Sequence, residues 1–197
     1  MLFRSDLLDS AMDSGLYDAG EDFLYRLRQD QAWILFQTDR EMLAQRICDE
    51  GIEKYESADG EKPFDSSIYF GFLMQKASIL VWGEVWEKVL VTLDKAQQIT
   101  DYFVPINRAI RIDVYRARAL HGLGRVEESL EILDSVLYEE NGDEIEDEDI
   151  ADAFELRGKI HLANGREVGR KDIEYVISYR KQQGENEDVE DLNKLLL

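Results

Sequence analysis

Tyr115–Leu137 reads YRARALHGLGRVEESLEILDSVL. Apolar and small residues return every three or four positions on both sides of Gly124. Ile112, Tyr115, Ala119 and Leu123 form one stripe, and Val126, Leu130, Leu133 and Leu137 the other. This spacing predicts two amphipathic helices, each with one face to bury. A glycine between them can end the first helix in a left-handed conformation without the steric cost of a β-carbon. The chain then reverses, and the two stripes bury one another as an antiparallel hairpin.

The same arrangement recurs along the chain. Gly83, Gly124 and Gly165 are 41 residues apart in succession, each between two apolar helical segments. Leu123-Gly124-Arg125 and Asn164-Gly165-Arg166 share a turn, and Leu93-Asp94 is echoed by Leu133-Asp134. Regular self-similarity of this kind marks stacked units. It predicts hairpins over 66–101, 104–139 and 148–183, with each glycine left-handed at the end of the first helix. Upstream, Phe23, Leu24, Leu27, Ile34 and Leu35 fit one helix, and Leu43, Ile47, Ile52 and Tyr55 a second, giving a fourth hairpin over 20–57. Thr38-Asp39-Arg40-Glu41 has the spacing of a capping box at the start of that second helix. Loops are expected at Ser57–Ser67 and Glu139–Asp149. The tail, with Leu192, Leu195, Leu196 and Leu197, suits a short capping helix over 186–197.

Composition narrows the class. The chain has 197 residues, 44% of them hydrophobic, and only two prolines, Pro63 and Pro105, so an all-α single domain is expected. The formal charge of -20 opposes binding to nucleic acid or to anionic membranes. No apolar run is long enough for a membrane span or a signal-peptide core, which predicts a cytoplasmic protein. Cys48, the only cysteine, falls on a helix face and reads as a packing residue.

Tyr115–Leu137 resembles a tetratricopeptide repeat. In that family a small residue in the first helix permits close packing, a glycine-containing turn follows, and another small residue sits early in the second helix. Ala117, Gly124 and Ser129 match this pattern. Gly158 and Gly165 match its first two positions in the last hairpin, but Arg170 stands where the third belongs, and Lys88 departs likewise in the earlier unit. The 41-residue spacing exceeds the family's usual period of about 34, and its terminal proline is missing. The resemblance implies a right-handed superhelix of about four hairpins and a binding role in a concave groove.

Five arginines, Arg108, Arg111, Arg116, Arg118 and Arg125, lie between Phe103 and Val126 against a single acid, Asp113. On the resemblance, Arg111 and Arg118, with Lys159 in the next hairpin, line the groove, and Arg108 is three residues from Arg111. Guanidinium groups clamp carboxylates bidentately, so an acidic or C-terminal peptide is the implied ligand. Phe70, Leu73 and Leu80 would give the groove an apolar floor. The competing reading is that these cations pair with the chain's own Asp and Glu residues, and that the aromatics Tyr69, Phe70, Phe72, Trp82 and Trp86 are core.

Other constellations are weak. Eight carboxylates crowd Glu139–Asp149, but with Gly142 at the turn, Leu137 would fill the first ligand position of a calcium loop. A solvated linker is the expectation there. His121 and His161 lack matching ligands, so no metal or cofactor is expected. Nothing reads as a catalytic site. The leading function is a protein- or peptide-binding adaptor. The alternative is a self-associating structural or chaperone-like protein whose tail docks into a second copy, a possible homodimer.

Overall fold

Scarce proline and three-to-four apolar spacing yield helices joined by short turns. The computed structural model describes residues 21–103, 106–139 and 148–197, and among them it is all-α, with no strand. The chain divides into two compact units, Met1–Phe103 and Val104–Leu197.

In the first unit α1 (Glu21–Phe36), α2 (Glu41–Glu56), α3 (Ser66–Trp82) and α4 (Trp86–Phe103) follow in order. Helix α3 packs against α1, α2 and α4, and it is apolar on almost every side because almost every side is covered. Ile68, Phe72, Leu73 and Ala77 are fully buried in it. The direction of each helix follows from side-chain pairs. Asp22 accepts from the Asp65 amide at 3.0 Å, Gln75 donates to the Gln29 carbonyl at 3.0 Å, and the Phe36 and Trp82 rings meet, so α1 and α3 run parallel. Tyr55 stacks on Tyr69 with centroids 4.2 Å apart, and Lys76 pairs with Asp49, so α2 runs antiparallel to α3. Asp65 caps α3 by accepting from the Ser67 amide at 2.7 Å, and the adjacent loop begins at Ser57.

Two turns depart from the sequence reading. Thr38 does not begin a capping box: its hydroxyl donates back to the Ile34 carbonyl at 2.8 Å, closing the end of α1, and α2 starts without a side-chain cap. Asp39 takes the left-handed position, at φ 58°. Gly83 has φ -81°, and its neighbour Glu84 carries the left-handed backbone at φ 55°. The reversal thus falls one residue beyond the glycine.

The second unit contains α5 (Ile106–Gly122), α6 (Val126–Glu139), α7 (Glu148–Ala163), α8 (Val168–Gln183) and α9 (Asn186–Lys194). Gly124 and Gly165 do adopt the left-handed turn, at φ 76° and 67°. Buried Ser129 donates to the Ala117 carbonyl at 2.7 Å, fastening α6 to α5 at the two small residues of the repeat-like pattern. Between α7 and α8 the close approach is made by Gly158 and Gly169, not at Arg170. A Cβ on Gly169 would stand 2.6 Å from the Gly158 carbonyl oxygen. The facing surface of α8 is turned by one residue, so counting from the turn glycine lands beside the contact. Val114, Leu133, Val136, Ile150 and Ile160 form the core of α5–α7, and Val189 and Leu192 of α9 cover Ile173, Val176 and Ile177 of α8.

Candidate functional site

Helices α5 and α7 pack side by side, and ion pairs fix their parallel direction. Arg111 Nε donates to both carboxylate oxygens of Asp149, at 2.9 and 3.0 Å. Seven residues on, Arg118 meets Asp152 at 3.4 Å. Asp149 lies in the first turn of α7, where the helix dipole favours a carboxylate. Its side chain is only 10% exposed, whereas that of Arg111 is 50% exposed.

The chain of charges continues. Arg180 of α8 reaches Asp152 at 3.1 Å, Glu155 at 3.5 Å and Glu185 at 2.7 Å, and Glu155 also pairs with Lys159. Burial pushes the Asp152 carboxyl above the ordinary aspartate range, although Arg118 and Arg180 pull the other way. On the opposite flank of α7, Arg157 bridges buried Asp172 at 2.8 Å and Asp134 at 2.9 Å, tying α6, α7 and α8 together.

The predicted groove residues are therefore placed as follows. Arg111, Arg118 and Lys159 lie on α5 and α7, each paired with a carboxylate of the same unit. The Arg108 side chain lies outside the described residues, as do residues 140–147 of the acidic loop. Phe70, Leu73 and Leu80 are buried on α3 of the first unit, with Leu73 at 1% exposure, which leaves almost no surface for a ligand. The competing reading, in which these cations pair with the chain's own carboxylates, names no partners; the partners are Asp149, Asp152 and Glu155, spaced by three on α7. Among the described residues no cluster of three His, Cys, Asp or Glu side chains could hold a metal ion. No described helix is long and apolar enough to cross a membrane.

A different surface appears where α1 and α3 end. The Phe36 ring lies 6.1 Å from Trp33 and 6.5 Å from Trp82, centroid to centroid. Trp82 is 71% exposed and Trp33 48%. The turns to α2 and α4 start at this end, bringing exposed Met42, Leu43 and Val85 to it. Tyr69, Phe70 and Phe72 are buried, in keeping with the competing core reading of the aromatics; Trp82, grouped with them by spacing, is exposed where α3 ends.

No protein-family model, curated protein sequence or solved structure matches the chain.

Proposed function

We propose that this chain is a protein-binding module of stacked helical hairpins, similar in design to tetratricopeptide-repeat proteins, and that it engages its partner at the aromatic end of the first unit. The observation that carries this reading is the Trp33–Phe36–Trp82 cluster, exposed together with Leu43 and Val85. Tryptophan combines a large apolar face with a polar edge, and it dominates binding energy where a patch becomes desolvated. Exposed contiguous apolar surface is otherwise a liability that soluble chains avoid.

The arginine groove is a less economical version of the same function. An acidic peptide at Arg111 must displace Asp149, a nearly buried carboxylate, from a two-bond ion pair, which offsets part of what the new pair contributes. A cytoplasmic adaptor role and a right-handed superhelical stack remain part of this proposal.

The test is capture of partners from the native cell with the unaltered chain, with Trp33→Ala/Trp82→Ala and with Arg111→Ala/Arg118→Ala. Loss of the captured protein with the tryptophan variant alone supports the aromatic end. Loss with the arginine variant alone transfers the role to the groove. Self-association has its own supporting observation, the exposure of Leu195 and Leu197. It predicts a dimer in light scattering that Leu195→Ser/Leu197→Ser converts to a monomer.

A further inference from the structure

Two turns at the aromatic end of the first unit are tied back to the helices they follow. The Arg40 amide donates to the Leu35 carbonyl of α1, and the Val85 amide to the Leu80 carbonyl of α3, each at 2.9 Å. These bonds hold Asp39 and Arg40, and Glu84 and Val85, against the ends of α1 and α3. Helices α2 and α4 set out from there with Glu41 and Glu87 in their first turns.

The charge at this end is one-sided. Residues 33–44 and 79–89 contain four carboxylates, Asp39, Glu41, Glu84 and Glu87, and two cations, half-buried Arg40 and exposed Lys88. All four acids are exposed, and none is held in an ion pair among the described residues. Along α2, by contrast, Asp49, Glu50 and Glu56 each meet a cation, Lys76, Arg46 and Lys95. Exposed Trp33, Trp82, Leu43 and Val85 therefore sit among carboxylates that nothing in this unit neutralises except two cations. A second copy would bring the same surplus of negative charge against this one, and an anionic lipid surface would repel it likewise. Residues 1–20 hold four aspartates and one arginine, so that segment has the wrong charge as well.

Resting on the reading that partner binding falls on this end, we infer that its occupant is a cationic amphipathic helix of another protein, apolar on one face with Lys and Arg along its flanks. The apolar face covers Trp33, Trp82 and Leu43. Lys and Arg heads reach the four carboxylates through charge-assisted hydrogen bonds, and they also favour the exposed indole faces. The ring spacings of 6.1 and 6.5 Å are close to the roughly 5–6 Å between side chains one turn apart on a helix, so successive apolar residues can meet successive rings. The formal charge of -20 adds long-range attraction for the same partner and speeds its arrival.

Three fluorescein-labelled peptides, LKKLLKKLLKKLLK, LEELLEELLEELLE and SKKSSKKSSKKSSK, titrated against the full chain by fluorescence anisotropy, test the inference. The cationic amphipathic peptide is expected to bind saturably, at least about tenfold more tightly than the other two. Trp33→Ala/Trp82→Ala should weaken it at least about tenfold, and Glu41→Lys/Glu87→Lys at least about fivefold, with helical circular dichroism unchanged. Glu127→Lys/Glu131→Lys makes the same change of net charge at exposed positions of α6 in the second unit, and it should alter binding less than about twofold. Tighter binding of LEELLEELLEELLE, lost in the tryptophan variant, would overturn the cationic partner and leave the aromatic end standing. Binding of the cationic peptide that the tryptophan variant does not weaken would remove the aromatic end itself as the site. Equal losses with the two charge reversals, or no saturation up to about 1 mM, would overturn the inference. So would a dimer in light scattering that Trp33→Ala/Trp82→Ala dissociates, since a second copy would then occupy this end.

Discussion

Arg180 and Arg118 hold the same carboxylate from two helices: Asp152 Oδ1 lies 3.1 Å from Arg180 Nη2, and its Oδ2 lies 3.4 Å from Arg118 Nη2. One aspartate on α7 thereby couples α5 to α8. Arg180 is itself buried and also gathers Glu155 and Glu185. Removing it leaves Asp152, Glu155 and Glu185 with only Arg118 and Lys159 to offset their mutual repulsion. Arg180→Ala should cost about 3 kcal/mol in urea unfolding. Asp152→Asn, which leaves Arg180 its other partners, should cost about 1 kcal/mol. A cost below about 0.5 kcal/mol for Arg180→Ala would mean that the network contributes little.

Gly169→Ala should destabilise by about 2–3 kcal/mol, because the added methyl meets the Gly158 carbonyl oxygen and the His161 Cβ, and backbone must move. Gly124→Ala provides the contrast. Its Cβ would enter open space, but at φ 76°, so only backbone strain of about 1 kcal/mol applies. Thermal unfolding of the pair checks the order. Equal costs would deny the close contact of α7 with α8.

Glu84→Gly should stabilise the chain by about 0.5–1 kcal/mol, since a residue with a β-carbon occupies a left-handed position at φ 55°. An increase in Tm is the expected readout. A decrease would place the turn elsewhere.

Cys48 is fully buried, and burial, with Asp49 adding to it, pushes its thiol pKa up to about 12. The thiolate needed for attack is therefore scarce at neutral pH. Labelling with a disulfide reagent at pH 8 should be at least about 100-fold slower in the folded chain than in urea, and should track unfolding. Rapid labelling without unfolding would contradict the packing of α2 against α3.

The helices were readable because their apolar spacing is imposed by burial, and burial decides where a helix turns its face. Gly124 and Gly165 were readable for a local reason, as two turns with the same backbone requirement. Gly83 and Thr38 misled because a turn signal identifies the neighbourhood and not the residue that takes the strained angle. The fate of the arginines was beyond spacing alone. Arg111 and Asp149 are 38 positions apart and meet only because α5 and α7 pack in parallel. The exposure of Trp82 follows from its place at the end of α3, beside Gly83, which the helical spacing of the aromatics does not by itself distinguish from the core positions before it.

The central claim is that partner binding falls on the aromatic end of the first unit and not on the paired arginines of the second. Hydrogen–deuterium exchange of the chain, alone and bound to its captured partner, tests this most directly. The account predicts new protection over residues 33–43 and 82–86, with α5 and α7 unchanged. Protection confined to α5 and α7 around Arg111, Arg118 and Lys159 would contradict it.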